Sequence, residues 1–450
     1  MNRRLPGTLR NCSRLLHDAT LTRFLSTTPK LFERQECQVL VVGGGTGGCA
    51  MAAKLSSRLG SNKVIVLEPE EKHYYQPMFT LIGGGMKRLE QSYRKMGDVL
   101  PKKARWIQES ALNFDPDKNE VSTSGGKTIK YDFLVIATGM QLKYEKIPGL
   151  VEALEAPKTN VCSIYSPKYV DNVYGCLRNT YRGNAIFTFP HCPIKCAGAP
   201  QKIAYIAEHY FRKMSRRDNV NIIYNTSLPV IFGVKQYADA LWKVAKKRNI
   251  TVNLSRNLVE VRPQDSVAVF EDLAKPGERY EEGYSMLHVC PPMTAPDVIA
   301  NCKPLVNEAG FVNVDQATLQ HKKYSNVFAI GDSASTPNSK TAAAAAAQSP
   351  VVFKNLMATI KGRPGKEAYD GYASCPLVTG YSTCILAEFD YNLTPVETFP
   401  FDQAKERYSM FIMKKTFMPI LYWELMMRGH WNGPATMRKV LSILKPKSKK

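Results

Sequence analysis

The feature that most constrains this 450-residue chain is a glycine-rich turn between an apolar run and an alanine-rich segment. Residues 39–42 are apolar and mostly β-branched, which predicts a buried strand, and residues 50–59 predict a helix. Between them, Gly43, Gly45 and Gly48 have the spacing of the dinucleotide-binding fingerprint. The first glycine permits a tight turn, the second lets the backbone approach a pyrophosphate, and the third lets the helix pack closely. The sequence therefore predicts a dinucleotide-binding unit.

A second apolar run, residues 64–67, ends in Glu68, which follows Gly48 at the distance expected for a ribose-binding acid. The free N–H groups at the start of the preceding helix favour phosphates. An acidic residue at this strand end argues against a 2′-phosphate. We therefore expect FAD or NAD rather than NADP.

The net charge of +22 is concentrated at the two ends of the chain. Residues 1–35 carry a net charge of +5 and residues 405–450 carry +9, which leaves a mildly basic body. This distribution is typical of targeting and of contact with an anionic surface, and it argues against a nucleic-acid groove. Hydrophobic residues make up 44% of the chain, which fits a globular protein of two or three domains.

The N-terminal residues 1–35 are rich in Arg, Ser, Thr and Leu and nearly free of acids, as in a mitochondrial presequence. A disordered basic tail is the alternative. No stretch is apolar over 18 residues, so no membrane-spanning helix is expected. The 11 cysteines lack metal-type CxxC pairs, which argues against structural zinc and against a secreted disulfide scaffold. No metal site is predicted.

Two further strands have the signatures of FAD-dependent oxidoreductases. Residues 131–139 end in Ala-Thr-Gly at Gly139, and residues 326–332 end in Gly-Asp at Asp332. The second resembles the signature whose aspartate hydrogen-bonds the ribityl chain of FAD. After Lys340, the alanine run 342–347 predicts a helix whose N-terminus would stabilise an anionic reduced flavin. These features occur in the order expected of a two-domain flavoprotein.

The second α/β unit lacks the fingerprint that would bind a nicotinamide dinucleotide. The strand at 185–189 continues instead into residues 190–200, where Cys196 precedes a predicted helix. The helix dipole, Lys195 and Lys202 would favour the thiolate and bring the pKa of Cys196 below the free value of about 8.5. The alternative is a buried, unreactive cysteine.

Two cysteines are candidates for the redox partner of Cys196. Cys375 lies in a turn-rich segment after the predicted FAD helix, and Cys192 lies four residues before Cys196. Cys49, Cys290 and Cys384 have apolar neighbours and are predicted to be core residues.

Four motifs resemble those of the mitochondrial sulfide:quinone oxidoreductase family: KCAGAPQK at 195–202, SCPLVTGY at 374–381, HYYQP at 73–77 and GDSASTPNSKTAAA at 331–344. The resemblance extends over essentially everything after residue 36. It implies a redox disulfide between Cys196 and Cys375 on one side of FAD, with a quinone on the other. The FAD contacts that it implies are Thr46, Gly47, Glu68, Gln76, Ala111, Asp332 and Lys340.

The resemblance also implies a reaction. Hydrosulfide attacks the disulfide, Cys375 keeps the sulfur as a persulfide, and Cys196 leaves as a thiolate. Glutathione or sulfite then takes the sulfane sulfur, and the electrons pass through FAD to ubiquinone. The location implied is the matrix side of the mitochondrial inner membrane.

The C-terminal residues 408–444 mix Met, Phe, Tyr and Trp with lysine and arginine, a pattern suited to helices in a membrane interface. Pro419 and Gly433-Pro434 are predicted to divide these helices, and the basic tail favours anionic lipid. The alternative is an amphipathic helix packed on the core.

The predicted fold class is α/β, with two Rossmann-like dinucleotide-binding domains and a C-terminal amphipathic, membrane-associating region. The expected divisions are a presequence (1–35), the FAD-binding domain in two parts (36–155 and 306–390), a second Rossmann-like domain with Cys196 (156–305) and the membrane region (391–450). The alternative functions are a type II NADH:quinone oxidoreductase and a flavin-binding protein without turnover.

Overall fold

A computed structural model describes residues 33–443 of the chain. The predicted presequence therefore lies almost wholly outside the described residues, as does the lysine-rich stretch 444–450. The predicted boundary at residue 35 falls inside the first strand, which begins at Glu33.

The strands occur throughout the described residues and are numbered in chain order. They are β1 (Glu33–Val42), β2 (Val64–Leu67), β3 (Lys72–Tyr74), β4 (Tyr93–Lys95), β5 (Arg105–Ile107), β6 (Ala111–Asp115), β7 (Glu120–Thr123), β8 (Lys127–Ile136), β9 (Gln141–Leu142), β10 (Val161–Cys162), β11 (Gly183–Phe189), β12 (Val220–Thr226), β13 (Thr251–Asn253), β14 (Arg256–Arg262), β15 (Val267–Asp272), β16 (Arg279–Gly283), β17 (Met286–His288), β18 (Met293–Thr294), β19 (Val327–Ala329), β20 (Ala373–Val378) and β21 (Cys384–Phe389).

The α-helices alternate with these strands through most of the chain. They are α1 (Thr46–Leu59), α2 (Phe79–Gly83), α3 (Met96–Val99), α4 (Leu150–Glu155), α5 (Val170–Asn179), α6 (Ala199–Lys213), α7 (Lys235–Lys247), α8 (Asp297–Ala300), α9 (Ala342–Ile360), α10 (Tyr408–Ile412), α11 (Met418–Ile420) and α12 (Ala435–Ser442).

The first sheet has the order β5-β2-β1-β8-β7-β6, with β19 also paired to β8. Strands β5, β2, β1, β8 and β19 pair in parallel, and β6, β7 and β8 form an antiparallel meander. The apolar ends of β1 and β2 are buried, as expected of parallel strands covered on both faces. The predicted strand, glycine turn and helix are confirmed as β1, residues 43–45 and α1.

The second sheet is parallel throughout and has the order β10-β17-β11-β12-β13. An antiparallel sheet, β14-β15-β16, follows β13 along the chain. Strand β11 ends at Phe189, and the loop that leads to α6 carries Cys196. Cys196 therefore lies beyond the carboxyl end of a parallel strand, where open α/β sheets bind ligands.

Cys375 lies in a strand and not in a turn, which corrects the sequence-based expectation. Strand β20 pairs in antiparallel fashion with β21, and Cys375 stands opposite Ala387. The turn-forming glycines Gly371 and Gly380 lie just outside the strand. A two-stranded sheet tolerates Pro376 because each strand has a free edge, where a backbone N–H is not needed to pair with another strand.

The C-terminal helix continues through Pro419, which also differs from the expectation. Residues 408–426 form one run in which α10 and α11 alternate with two π-helical stretches, Met413–Phe417 and Leu421–Met426. The wider π-helical turns accommodate Pro419, whose missing N–H would interrupt the hydrogen bonds of a regular α-helix. Gly433-Pro434 does separate this run from α12. Within residues 33–443, no helix combines the length and apolar character needed to cross a bilayer.

Candidate functional site

A cavity of about 600 Å³ lies where α1, the Cys196 loop, the start of α9 and the C-terminal run meet. Its wall includes ten of the FAD-binding and redox-cysteine positions predicted from the sequence, which are Gly43, Gly45, Thr46, Gly47, Glu68, Gln76, Gly139, Cys196, Asp332 and Lys340. Three others do not line it. Gly48 lies behind the loop, Cys375 lies between its lining neighbours Ser374 and Pro376, and Ala111 is at the start of β6, paired with Thr123.

The glycine turn is shaped by close backbone contacts. Gly43 has φ +102°, in the region that favours glycine, and a Cβ there would lie 2.5 Å from the carbonyl oxygen of Ala137. A Cβ on Gly48 would lie 1.8 Å from the carbonyl oxygen of Gly43. By contrast, a Cβ on Gly45 would meet no protein atom within 4 Å. The loop is therefore closed on its protein side and open toward the cavity.

Glu68 is bound to the glycine turn. Its carboxylate accepts hydrogen bonds from the N–H of Gly44 at 2.5 Å and from the N–H of Glu70 at 2.8 Å. Burial raises the pKa of Glu68, although these two N–H groups oppose that rise. The predicted ribose-binding acid thus lies on the cavity wall and also supports the turn.

The opposite side of the cavity is formed by the segment that leads into α9. The Nζ of Lys340 donates to the carbonyl oxygens of Ala334 at 2.6 Å and Thr336 at 2.8 Å. Burial lowers the pKa of Lys340 to about 8, and burial raises the pKa of Asp332. Thr341 caps α9 by accepting from the N–H of Ala344. The predicted helix start beside Lys340 is confirmed.

The cavity fits a dinucleotide such as FAD. It has the free N–H groups of the α1 N-terminus at one end and the N-terminus of α9 at another. Among the described residues, Thr138 on its wall has a buried hydroxyl oxygen without a hydrogen-bond partner. A buried polar atom left unpaired in the protein alone is expected where a ligand supplies the partner.

Cys196 and Cys375 come together at this cavity. Their Sγ atoms are 3.7 Å apart, and both are free thiols in this structure. The N–H of Cys196 donates to the carbonyl oxygen of Lys340 at 2.7 Å, which ties the cysteine loop to the α9 segment. Cys196 has φ +58°, an uncommon conformation for a residue other than glycine, asparagine or aspartate. Such outliers cluster at functional sites.

The charge around the thiol pair favours a thiolate on Cys196. The Nζ of Lys202 lies 3.2 Å from its Sγ. A hydrogen bond from Cys375 and the ammonium of Lys202 hold the pKa of Cys196 well below its usual range, although burial opposes this. The same hydrogen bond, together with burial, raises the pKa of Cys375 well above its usual range. The two opposite shifts therefore favour the thiolate on Cys196 over a thiolate on Cys375.

The structure separates the roles of the two lysines expected to activate Cys196. Lys202 contacts the sulfur, whereas the Nζ of Lys195 donates to Gln76 Oε1 at 2.8 Å. Burial lowers the pKa of Lys195. Lys195 thus connects the cysteine loop to a predicted FAD-binding residue instead of the thiol.

The other cysteines considered in the sequence make different contacts or lie in the core. Cys192, the competing partner, accepts a hydrogen bond at its Sγ from the N–H of Met293 at 3.4 Å. Cys49, Cys290 and Cys384 are buried, which confirms their placement in the core. Among residues 33–443, no cluster of His, Cys, Asp and Glu side chains is placed to hold a metal ion.

Two residues of the C-terminal run, Lys414 and Met418, line the cavity and were not singled out from the sequence. Lys414 is buried, and its Nζ donates to the carbonyl oxygen of Pro77 at 2.9 Å. Burial, aided by the charge of Lys202, lowers the pKa of Lys414 to about 8. The signal available in the sequence was a lysine within an apolar helical run, but that pattern is equally typical of a membrane-interface helix.

Replacing Lys202 with Met should raise the pKa of Cys196, because it removes the cation in contact with the thiolate. At a pH below the pKa of Cys196, each unit by which that pKa rises lowers the thiolate fraction about tenfold. In chemically reduced protein at pH 7, we expect alkylation of Cys196 by iodoacetamide to slow about tenfold or more, and less at alkaline pH. Mass spectrometry of the peptide that carries Cys196 gives the rate. The matched control is Lys195→Met, which should leave the pH midpoint in place. An unchanged midpoint in Lys202→Met would contradict this assignment.

A dinucleotide cavity with an adjoining thiol pair is typical of flavoprotein oxidoreductases that use a redox-active disulfide. Residues 37–173 match the pyridine nucleotide-disulphide oxidoreductase family. The mitochondrial sulfide:quinone oxidoreductase of Mus musculus is 52% identical to the chain over 406 residues, which cover 90% of each protein. The mitochondrial sulfide:quinone oxidoreductase of Dictyostelium discoideum is 43% identical over 403 residues, which cover 89% of this chain and 88% of the relative. The chain belongs to the sulfide:quinone oxidoreductase family.

The fold agrees with this membership. The crystal structure of the sulfide:quinone oxidoreductase from Aquifex aeolicus superposes with a TM-score of 0.76 at 23% identity, and it covers 90% of this chain and 95% of that one.

Proposed function

We propose that this protein oxidises hydrogen sulfide at Cys196 and Cys375, passes the sulfane sulfur to glutathione or sulfite, and passes the electrons through FAD to ubiquinone. The observation that carries the proposal is the contact of the two sulfur atoms, 3.7 Å apart, at the edge of the dinucleotide cavity. Membership of the sulfide:quinone oxidoreductase family supports the same reaction.

The reaction begins from the oxidised pair. Hydrosulfide attacks Cys375 Sγ in the disulfide, so that a new S–S bond forms there and Cys196 leaves as a thiolate. Lys202, 3.2 Å from Cys196 Sγ, stabilises the negative charge on this leaving group. Glutathione or sulfite removes the outer sulfur from Cys375 and leaves a second thiolate. Closing the disulfide between the two cysteines releases two electrons.

The residues proposed to hold FAD are the cavity-lining positions predicted from the sequence. The glycine turn and α1 would receive the diphosphate, Glu68 a ribose, and Gln76, Gly139, Asp332 and Lys340 the remainder. When bound, FAD supplies a carrier that can accept two electrons from the cysteine pair and pass them to the quinone. Ala111 stays a prediction from the resemblance alone, because no cavity residue neighbours it along the chain.

We further propose that the first, mixed sheet and the second, parallel sheet form two Rossmann-like domains, with the FAD-binding domain assembled from residues 36–155 and 306–390. The contribution of β19 to the first sheet supports this division, because β19 pairs with β8 after the whole second sheet has intervened. The second sheet supplies the Cys196 loop instead of a nicotinamide-binding glycine turn.

The C-terminal region is proposed to lie on the mitochondrial inner membrane, on its matrix side, where ubiquinone is available. Phe417 and Ile420 on the C-terminal run and Val440 and Ile443 at the end of the described chain are exposed, although they are large and apolar. Neighbouring lysines and arginines would contact anionic lipid. No nucleic-acid partner is proposed.

Replacing Phe417 and Ile420 with Asp should weaken binding to vesicles that contain anionic lipid by about tenfold or more, because each apolar side chain contributes about 1.5–3 kcal/mol on burial. Co-sedimentation with the vesicles measures the binding. The control is Leu112→Asp, since Leu112 is equally exposed on β6, away from the C-terminal run. Unchanged binding of the double variant would show that the membrane surface lies elsewhere.

The proposed function is tested by an anaerobic visible spectrum of the detergent-solubilised protein, titrated with sulfide and then with a soluble ubiquinone analogue. Loss of the oxidised-flavin band with sulfide and its return with quinone are expected. If NADH bleaches the band and sulfide does not, the protein acts as a type II NADH:quinone oxidoreductase and the proposal fails.

A further inference from the structure

Tyr422 joins the C-terminal run to the glycine turn through hydrogen bonds with Thr46 and His73. Its hydroxyl lies 2.8 Å from Thr46 Oγ1 and 2.6 Å from His73 Nε2. On the other side of the ring, His73 Nδ1 lies 2.8 Å from the carbonyl oxygen of Gly44. Both Tyr422 and His73 are only 2% exposed, so solvent offers no replacement for these hydrogen bonds.

The direction of each hydrogen bond follows from the chemistry of the groups. Burial lowers the pKa of His73 to about 4, so the ring is neutral and carries one N–H. A carbonyl oxygen can only accept, so Nδ1 donates to Gly44 and Nε2 must accept. The Tyr422 hydroxyl therefore donates to His73, and its oxygen accepts the hydroxyl hydrogen of Thr46. One continuous chain runs from Thr46 through Tyr422 and His73 to Gly44.

Other contacts hold the same helical run, and the residues just after it, against the elements around the cavity. Lys54, on α1, donates to the carbonyl oxygen of Gly429 at 2.8 Å and to Asn432 Oδ1 at 2.5 Å. Arg94, on β4, pairs with Glu424 at 2.8 Å. The ring of Tyr75 lies 4.5 Å from that of Tyr422. Tyr422 differs from these contacts because its partner Thr46 directly follows the turn and its partner His73 is hydrogen-bonded to Gly44.

We infer that Tyr422 is a positioning residue which couples docking of the C-terminal run, residues 408–426, to retention of FAD by the glycine turn. Docking orients Thr46 and Gly44 and so strengthens FAD binding. Because coupling between two binding events is reciprocal, bound FAD strengthens docking of the run by the same factor. This inference rests on the proposed FAD site, but it does not require that sulfide be the electron donor.

Tyr422→Phe removes the hydroxyl and leaves the ring in place. The half-buried Thr46 hydroxyl and the buried His73 Nε2 both lose their partner, and we expect FAD to dissociate about tenfold faster from the holoenzyme. The rise of free-flavin fluorescence after dilution measures the rate. Tyr408→Phe is the matched control, because Tyr408 lies in the same helical run but is 64% exposed. Its FAD should dissociate at the wild-type rate.

The reciprocal effect is measured by trypsin cleavage after the exposed Arg428. When the wild-type holoenzyme is diluted until part of its FAD dissociates, saturating free FAD should slow this cleavage, and Tyr422→Phe should weaken the protection. Dissociation of FAD from Tyr422→Phe at the wild-type rate would overturn the inference, and so would cleavage that does not respond to FAD. Neither readout uses sulfide, so these failures are distinguishable from a failure of the proposed reaction, which shows in the sulfide titration alone.

Discussion

Replacing Cys196 with Ser is expected to reduce the rate of sulfide-dependent flavin reduction by at least about 10³-fold, as when a catalytic nucleophile is removed. Serine cannot form a disulfide with Cys375, so hydrosulfide finds no S–S bond to attack. Cys375→Ser should have the same consequence, because the two sulfur atoms act as one redox unit. Stopped-flow measurement at the oxidised-flavin band gives the rate.

The matched control is Cys192→Ser. Cys192 lies in the same loop but its Sγ contacts the N–H of Met293 and not the thiol pair. This variant should retain nearly wild-type rates, and all three variants should keep their bound FAD. Near-normal reduction of Cys196→Ser by sulfide would remove the thiol pair from the mechanism. A large defect in Cys192→Ser would instead make Cys192 the redox partner.

The second large effect is expected of Gly48→Ala. The added Cβ would lie 1.8 Å from the carbonyl oxygen of Gly43, a backbone atom that cannot rotate away. Either the turn or the packing of α1 on the first sheet must shift. We expect the free energy of unfolding to fall by about 3 kcal/mol, as in strongly overpacked interiors, with loss of FAD. Thermal unfolding and the ratio of flavin to protein absorbance measure the two effects.

Two other glycines serve as controls for this variant. A Cβ on Gly45 meets no protein atom within 4 Å but points into the space where the cavity begins. Gly45→Ala should therefore weaken FAD binding while leaving the stability of the fold largely unchanged. Gly97→Ala, with only Trp106 at 3.8 Å, should affect neither. If Gly48→Ala behaves like Gly97→Ala, the close packing of the turn is not required.

Much of the cavity wall could be predicted from the sequence because its signals are local. The strand, turn and helix around Gly43 occupy 27 consecutive residues from β1 to α1. The Gly-Asp turn at Asp332 and the helix after Lys340 are equally compact. The expected activation of Cys196 by Lys202 is also a local signal, since the two residues are only six positions apart.

The pairing of Cys196 with Cys375 could not be derived in this way. The two residues are 179 positions apart, and Cys192 was an equally available partner by spacing. The resemblance selected Cys375, and the structure brings the two sulfur atoms together. Similarly, local spacing assigned Lys195 to the thiol, although its amine reaches Gln76, which is 119 positions away.

By itself, the sequence determined the dinucleotide turn, its acidic partner at Glu68 and the absence of a second glycine turn, because each depends on backbone geometry within one short segment. Only the tertiary structure decided which thiol faces Cys196 and which amine stabilises its thiolate. It also decided that Lys414 and Tyr422, from a run that had the pattern of a membrane helix, contribute to the cavity and its supporting turn. The physical reason is that burial and charge act between segments distant in the chain, and their contacts form only when the sheets and the C-terminal run are packed together.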